Sequence, residues 1–500
     1  MSHVEALSQW KKTVSTYFGH LSGPQARGLA LWSFGMVLAK SCGITSVVGL
    51  LAPLVENSES NVRQQLREWC YDAKDKKGAQ RQQIEVELCF APLLCWIVSW
   101  WAVDERRLAL AMDASNLTDR FTVLCLSVVY RGCAIPVAWK IIVGNAPGSW
   151  EPYWKSLFSA IHSSVPTDWT VIVLADRGLY AKWLYEHLVA LGWHPFLRIN
   201  VRGKVRPEGE EAFRWLCSLV PVAGSTWAGA VECFVDKPKR LRCTLLACDE
   251  AGYADPWLIV TDLPANAANV VWYSMRTWIE AGFKDTKRGG WQWHHTKMTD
   301  PARASRLWLA IAVATLWAVS VGGEADATLP CSSLAALPDL HVARTQRKTT
   351  QRSRPRLRSC FARGLQLILV ALLKGEPVPL GRFIPEPWPT MLPPPKHTQA
   401  KAPKNKHTGK TKEGEEKGPS LGFQGGRMKK PTPESCPAPP ALLAPLTLQA
   451  YVERSSIPPE QTAVELRENL PLTNIAVPHP SHLQQPSSSS APPQAAFVYH

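Results

Sequence analysis

The segment WYSMRTWIEAGFKDTKRGGW, residues 272–291, carries four side chains suited to chemistry: Tyr273, Arg276, Glu280 and Lys287. On an α-helix of about 3.6 residues per turn they fall at roughly 0°, 300°, 340° and 320°, a stripe about 60° wide. A phenol, two cations and a carboxylate on one face can hold an anionic substrate beside an acid. Upstream, Asp113 closes the strand-like run RLALAMD and Asp176 closes TVIVLAD. Both runs are apolar up to the acid. That places each carboxylate at a sheet rim, outside the carboxyl ends of strands, where α/β proteins hold their sites. Three carboxylates brought together repel one another unless cations sit between them. Mg²⁺, with Mn²⁺ as a substitute, is the hard cation such oxygen ligands take. Two such ions can activate a water and stabilise the leaving oxygen of a phosphodiester displacement. Taken singly, each acid also reads as structural: the aspartates as turn or cap residues, Glu280 as a solvated helix residue. Asp119, Asp168, Asp262 and Asp285 compete, but fall in turns or off the stripe.

The elements that must position these residues are legible from their patterning. Runs 107–113, 121–130 and 133–144 are β-rich and joined by turn-like connectors, a three-stranded meander. An amphipathic helix over 150–165, a buried strand over 170–176, a second helix over 181–193 and a fifth strand over 194–200 follow. The order β-β-β-α-β-α-β is a mixed α/β sheet. Residues 201–265 are richer in Gly, Pro and short β-like pieces, and read as an inserted β subdomain. Helices over 267–287 and 301–320 come next, the latter starting at Asp300-Pro301.

Ahead of the sheet, residues 1–80 read as helical, with Ser60 as the N-cap of a basic helix carrying Arg63, Gln64 and Arg67. That arrangement fits a helix-turn-helix DNA reader and equally a plain helical bundle. Residues 81–106 form a connecting helix. The apolar run Leu307–Val321 has fifteen residues, short of the ~20 a bilayer needs, and reads as a buried helix. Residues 341–384 form a basic region, with seven cations between 344 and 358 and a helix-like GLQLILVALLKG. Residues 385–500, rich in Pro, Lys, Ser and Gln, read as a disordered tail.

The net charge of +15 favours polyanionic partners, nucleic acid first. Part of the excess lies in the tail, where 396–430 holds ten Lys/Arg against three Glu. None of the thirteen cysteines forms a C-x-x-C pair. They read as reduced, buried thiols of a cytoplasmic protein. The N-terminus lacks the pattern of a signal peptide.

On these residues the chain resembles the DDE transposases of bacterial insertion sequences, the group with a Tyr-x2-Arg-x3-Glu-x6-Lys signature. Tyr273, Arg276, Glu280 and Lys287 match it at every position. DASNLTDRFTVLCLSVVYRGCAIPVAWK around Asp113, LADRGLYAKWLYEHLVALGW around Asp176 and DPARASRLWLAIAVATLW after Glu280 also look like the family. The resemblance covers about 105–322 and implies an α/β fold: an RNase H-like catalytic core over 107–200 and 266–340, with a β-rich insertion over 201–265. An N-terminal helical, DNA-binding domain over 1–80 and a disordered C-terminal tail complete it.

The resemblance also implies roles. Asp113, Asp176 and Glu280 become catalytic metal ligands, while Tyr273, Arg276 and Lys287 hold the DNA backbone at a transposon end. Trp257 and Trp272 are candidates for stacking a flipped base, since relatives can pass through a DNA hairpin. The implied partners are double-stranded DNA, as transposon ends and target, and a second copy of the chain in a synaptic complex, with no membrane. The implied location is the bacterial cytoplasm, at the nucleoid. Two alternatives stand beside this reading. One is a catalytically silent relative acting as a DNA-binding regulator, against which the intact triad argues. The other is an RNase H-fold nuclease, against which the Tyr, Arg and Lys positions argue. The chain departs from its relatives at WQWHHTKM, where they often show a more aliphatic stretch ending in an acid. His294-His295 reads as a loop or DNA-facing pair there.

Overall fold

Short polar caps and strong apolar patterning set the elements. The computed structural model describes residues 3–78, 81–250, 253, 255–327 and 358–390, all within a compact unit spanning 1–404. The basic residues Arg344, Arg347, Lys348, Arg352, Arg354 and Arg356, and the tail from 391 onward, lie outside the described residues.

Four helices come first: α1 (His3–Tyr17), α2 (Gly23–Ala39), α3 (Ile44–Leu54) and α4 (Glu59–Trp69). At the start of α2, Gln25 Oε1 accepts from the Ser22 N–H at 2.9 Å. At α4 the cap is Ser58 and not Ser60; Ser58 Oγ accepts from the Asn61 N–H at 3.2 Å. The helix therefore begins two residues earlier than a cap at Ser60 would place it. Helix α5 (Phe90–Ser99) leads into the sheet.

Strands β1 (Arg107–Leu117), β2 (Phe121–Tyr130) and β3 (Cys133–Val143) form the antiparallel meander. Helix α6 (Glu151–His162), β4 (Thr170–Ala175), α7 (Lys182–Ala190) and β5 (His194–Arg198) add parallel strands beside β1. Then come β6 (Lys204–Pro207), β7 (Arg214–Trp215), β8 (Thr226–Cys233), β9 (Leu241–Cys248) and β10 (Trp257–Thr261). These do not form a layer of their own. β10 pairs antiparallel with β5, so one ten-stranded sheet runs β3-β2-β1-β4-β5-β10-β9-β8-β6-β7. Strand β10, apolar but for Thr261 and buried along its whole length, is a strand of the sheet interior.

The remaining helices are α8 (Trp278–Lys284), α9 (Pro301–Ala327) and α10 (Cys360–Lys374). The α9 N-terminus has Pro301 in its first turn, and Asp300 Oδ1 accepts from the Arg303 N–H at 2.9 Å. Helix α9 runs for 27 residues, long and apolar enough to cross a bilayer, so the length argument from Leu307–Val321 fails. What decides its place is burial: 94% of its apolar window lies inside the fold. It packs against β3, α2 and α10. Trp10 of α1 stacks on Trp317 of α9 at 4.0 Å, and the N-terminal helices share one continuous core with the sheet.

Candidate active site

The last parallel pair between β1 and β4 is Met112 with Ala175. Asp113 and Asp176 are the next residues, so two carboxylates leave neighbouring strands at one level of the sheet. Strand β4 stops there, whereas β1 runs on to Leu117 with Asp113 opposite Cys125 of β2. Asp113 is therefore inside a strand and not at its end. It continues because β2 supplies a partner on the other side. Asp113 Oδ1 accepts from the Ala114 N–H at 2.8 Å, and Asp176 Oδ1 from the Arg177 N–H at 2.7 Å.

The third acid arrives on a composite helix. Residues 270–277 are a 3₁₀ segment, α8 is an α-helix, and Asp285–Gly289 form a π turn. The uniform 267–287 helix of the sequence reading is thus divided into three windings. Such changes of winding re-aim side chains and recur at functional sites. A Cβ on Gly282 would lie 2.9 Å from the Ala134 Cβ and 3.1 Å from its carbonyl oxygen. Glycine lets α8 press onto β3 and carry Glu280 to the carboxylates.

The centre of the site is the Arg276 guanidinium. Its Nη2 lies 2.8 Å from Asp113 Oδ2 and 3.7 Å from Asp176 Oδ2, and its Nη1 lies 2.7 Å from Glu280 Oε1. Side-chain exposure rises from 11% at Arg276 through 20% at Asp113 and 39% at Asp176 to 48% at Glu280, so the site opens on the Glu280 side. Burial pushes the Asp113 carboxyl above its ordinary range, with Arg276 opposing. Burial works against the Arg276 charge, but Asp113, Tyr273, Asp176 and Glu280 outweigh it and raise its pKa. The Arg276 Nε is buried without an acceptor.

Tyr273 is buried and its hydroxyl donates to Asp176 Oδ1 at 3.5 Å. Burial raises its pKa. Lys287 Nζ donates to Ser115 Oγ at 2.8 Å and to the Asn116 carbonyl at 2.6 Å, on β1 just past Asp113. Burial, then Arg288, lowers its pKa. Trp257 meets the Tyr273 ring edge-on at 5.4 Å and is 7% exposed. Trp272 lies between Phe196 and Trp388, at 5.8 and 4.8 Å. His294 turns inward, its Nδ1 2.8 Å from the Lys287 carbonyl oxygen.

The structure thus brings Asp113, Asp176, Glu280, Tyr273, Arg276 and Lys287 into one cluster, with Trp257 packed behind Tyr273. Two competing acids are engaged elsewhere: Asp168 with Arg106 and Asp262 with His194. Asp285 is buried. Residues the sequence reading missed are Ser115 and Asn116, which seat Lys287, and Trp388, which covers Trp272. Nothing local signals them, since Lys287 and Asn116 are 171 positions apart.

Three carboxylates are a donor set suited to a hard divalent cation. Among the described residues, no group of three His, Cys, Asp or Glu side chains stands ready to hold an ion. The three acids meet through Arg276, whose cationic fork takes the position between them. The donor chemistry fits a metal ion once that position is free.

Residues 151–317 match the family model described as Transposase DDE domain. The matched span contains Asp176, Tyr273, Arg276, Glu280 and Lys287, while Asp113 lies upstream of it. No curated protein matches the chain.

Proposed function

We propose that the chain, whose residues 151–317 match the transposase DDE domain model, is the transposase of a bacterial insertion sequence, acting in the cytoplasm. It binds the element's terminal inverted repeats, nicks to expose a 3′-OH and joins that end to target DNA. Two chains pair two ends in a synaptic complex. In this reading, the meander with β4, β5 and their helices is an RNase H-like core, and 201–265 is its β-rich insertion. The observation that carries the proposal is the convergence of Asp113, Asp176 and Glu280 on one charged point, with Lys287 beside them.

Asp113, Asp176 and Glu280 would hold Mg²⁺, or Mn²⁺ in its place, as two ions, which when bound supply an activated attacking oxygen and charge for the leaving one. Lys287 leaves Ser115 and Asn116 and meets a backbone phosphate as a point charge; Arg276 offers a bidentate fork to another phosphate oxygen. Tyr273 holds Asp176 in place through its hydroxyl. In the first step a water oxygen bonds to phosphorus, the P–O3′ bond breaks and a proton passes to the released 3′ oxygen. In the second, that 3′-OH attacks a target phosphodiester, forming a new one and releasing a target 3′-OH. Trp257, wedged against Tyr273, supports the cluster. Trp272 can stack a base only if Trp388 moves aside.

The test is cleavage of a DNA fragment carrying the element's own ends, with Mg²⁺ or with EDTA. Asp113→Ala, Asp176→Ala and Glu280→Ala are expected to lose cleavage by more than about a thousandfold while still retarding the fragment. Cleavage in EDTA, or full activity in the three variants, overturns the proposal. Retardation without cleavage by the unaltered chain identifies a silent DNA-binding regulator.

A further inference from the structure

We propose that Arg276 is a built-in counter-ion: in the chain free of DNA its guanidinium occupies the cation position among Asp113, Asp176 and Glu280, and a divalent ion enters only when that fork withdraws. The inference rests on the reading of the three acids as metal ligands.

The geometry supports it in three ways. First, one guanidinium reaches all three acids, at 2.8, 3.7 and 2.7 Å. No other cation does so among the described residues. Lys287, the other cation of the signature, is bonded to Ser115 and Asn116. Second, the acids are poorly solvated at the Asp113 end, where its side chain is 20% exposed beside an 11% exposed Arg276. Without a resident cation their mutual repulsion would be severe. An arginine cannot be deprotonated, so it holds the three together at any physiological pH. Third, the fork is imperfectly satisfied where it sits. Its Nε is buried with no acceptor, a cost that a new partner at another position could remove.

The consequence is a coupling between substrate and metal. A divalent ion and the guanidinium compete for the same oxygens, so the free chain binds the ion weakly. A DNA phosphate offers the fork a bidentate alternative, and its withdrawal opens the carboxylates. A ligand that favours the withdrawn state raises metal affinity by the same factor that metal raises its own. The arrangement keeps the site closed until a substrate is in place.

The experiment titrates Mn²⁺ into the full chain without DNA and counts free Mn²⁺ by electron paramagnetic resonance. Arg276→Gln removes the competing charge within a few ångströms of the ion, so its Mn²⁺ affinity is expected to exceed that of the unaltered chain by at least about tenfold. Adding Asp113→Asn, Asp176→Asn or Glu280→Gln to Arg276→Gln should abolish that gain. Equal or weaker Mn²⁺ binding by Arg276→Gln, at a site that still depends on the three acids, overturns the counter-ion and leaves the triad reading standing. Tight binding that survives loss of the acids overturns both. Should Arg276→Gln fail to fold, Arg276→Lys decides alone. Its single ammonium cannot bridge three acids, so affinity above the unaltered chain supports the proposal and affinity at or below it overturns the proposal.

Discussion

Asp285 shows how one residue near the site can set a pH response. It sits in the π turn between Glu280 and Lys287, and burial pushes its carboxyl from 3.8 up to about 7, with Lys284 opposing. Between about pH 4 and 7 the folded chain therefore holds a proton that the unfolded chain has released. Stability falls as pH rises through that window and the loss is complete above it. Asp285→Asn removes the charge and keeps the shape. Its thermal midpoint is expected to exceed that of the unaltered chain by about 9 °C at pH 8, from roughly 1.4 kcal/mol per pKa unit and about 2 °C per kcal/mol in a large domain. At pH 4 the two should agree within about 1 °C, because the carboxyl is neutral in the fold there. Scanning calorimetry at both pH values checks this; equal midpoints at pH 8 would remove the effect. The same local scale explains Tyr273, Arg276 and Glu280. Their spacing was readable as a signature, yet the acids that Tyr273 and Arg276 meet, Asp176 and Asp113, come from other elements. Nothing in WYSMRTWIEAGFKDTKRGGW says that Arg276 faces Asp113 and not solvent.

At the scale of elements, the helix pair α9 and α10 meets backbone to backbone. A Cβ on Gly364 would lie 1.7 Å from the Ala318 carbonyl oxygen, and one on Gly322 would lie 1.8 Å from that of Cys360. Neither carbonyl can yield without moving its helix. Gly364→Ala is expected to cost about 3 kcal/mol or more, read as a lower urea midpoint with little change in slope. A loss under about 1 kcal/mol would mean that α10 can shift freely on α9. The pair matters to the site because α10 leads to a strap over the sheet. Phe383 bridges to Trp101, Arg131 pairs with Glu386 at 2.9 Å, and Trp388 reaches Trp272. The apolar pattern of GLQLILVALLKG predicts the helix. Its docking depends on two glycines some forty residues apart, which no periodicity links.

At the scale of the whole molecule, the larger of two core clusters joins the N-terminal helices to the sheet through α9, and the smaller lies behind Tyr273. Trp10, fully buried, stacks on Trp317 and donates its indole N–H to Ser33 Oγ at 2.9 Å. Arg306, itself buried, ties the start of α9 to Asp72 at 2.7 Å and to the Cys70 carbonyl at 2.8 Å. Trp10→Ala is expected to destabilise by about 3–5 kcal/mol. Helix content by far-ultraviolet circular dichroism and core packing by tryptophan fluorescence should then fall together in urea. An N-terminal transition that precedes the sheet's would show that the helices and the sheet do not share a core.

The amino-acid sequence by itself determined the types and spacing of the acids, the meander, the helix–strand alternation after it and the signature that pointed to a family. These follow from local patterns: apolar runs that end in a carboxylate, period-2 and period-3.6 spacing, and turn residues. Tertiary structure decided three things that local pattern cannot carry. It ran β1 on past Asp113, because β2 offers hydrogen-bond partners on the side that β4 leaves. It folded 201–265 into the main sheet, because β10 finds its neighbour in β5. And it set Arg276 among three carboxylates from separate elements, because burying those charges without a cation between them would cost more than burying the guanidinium with them.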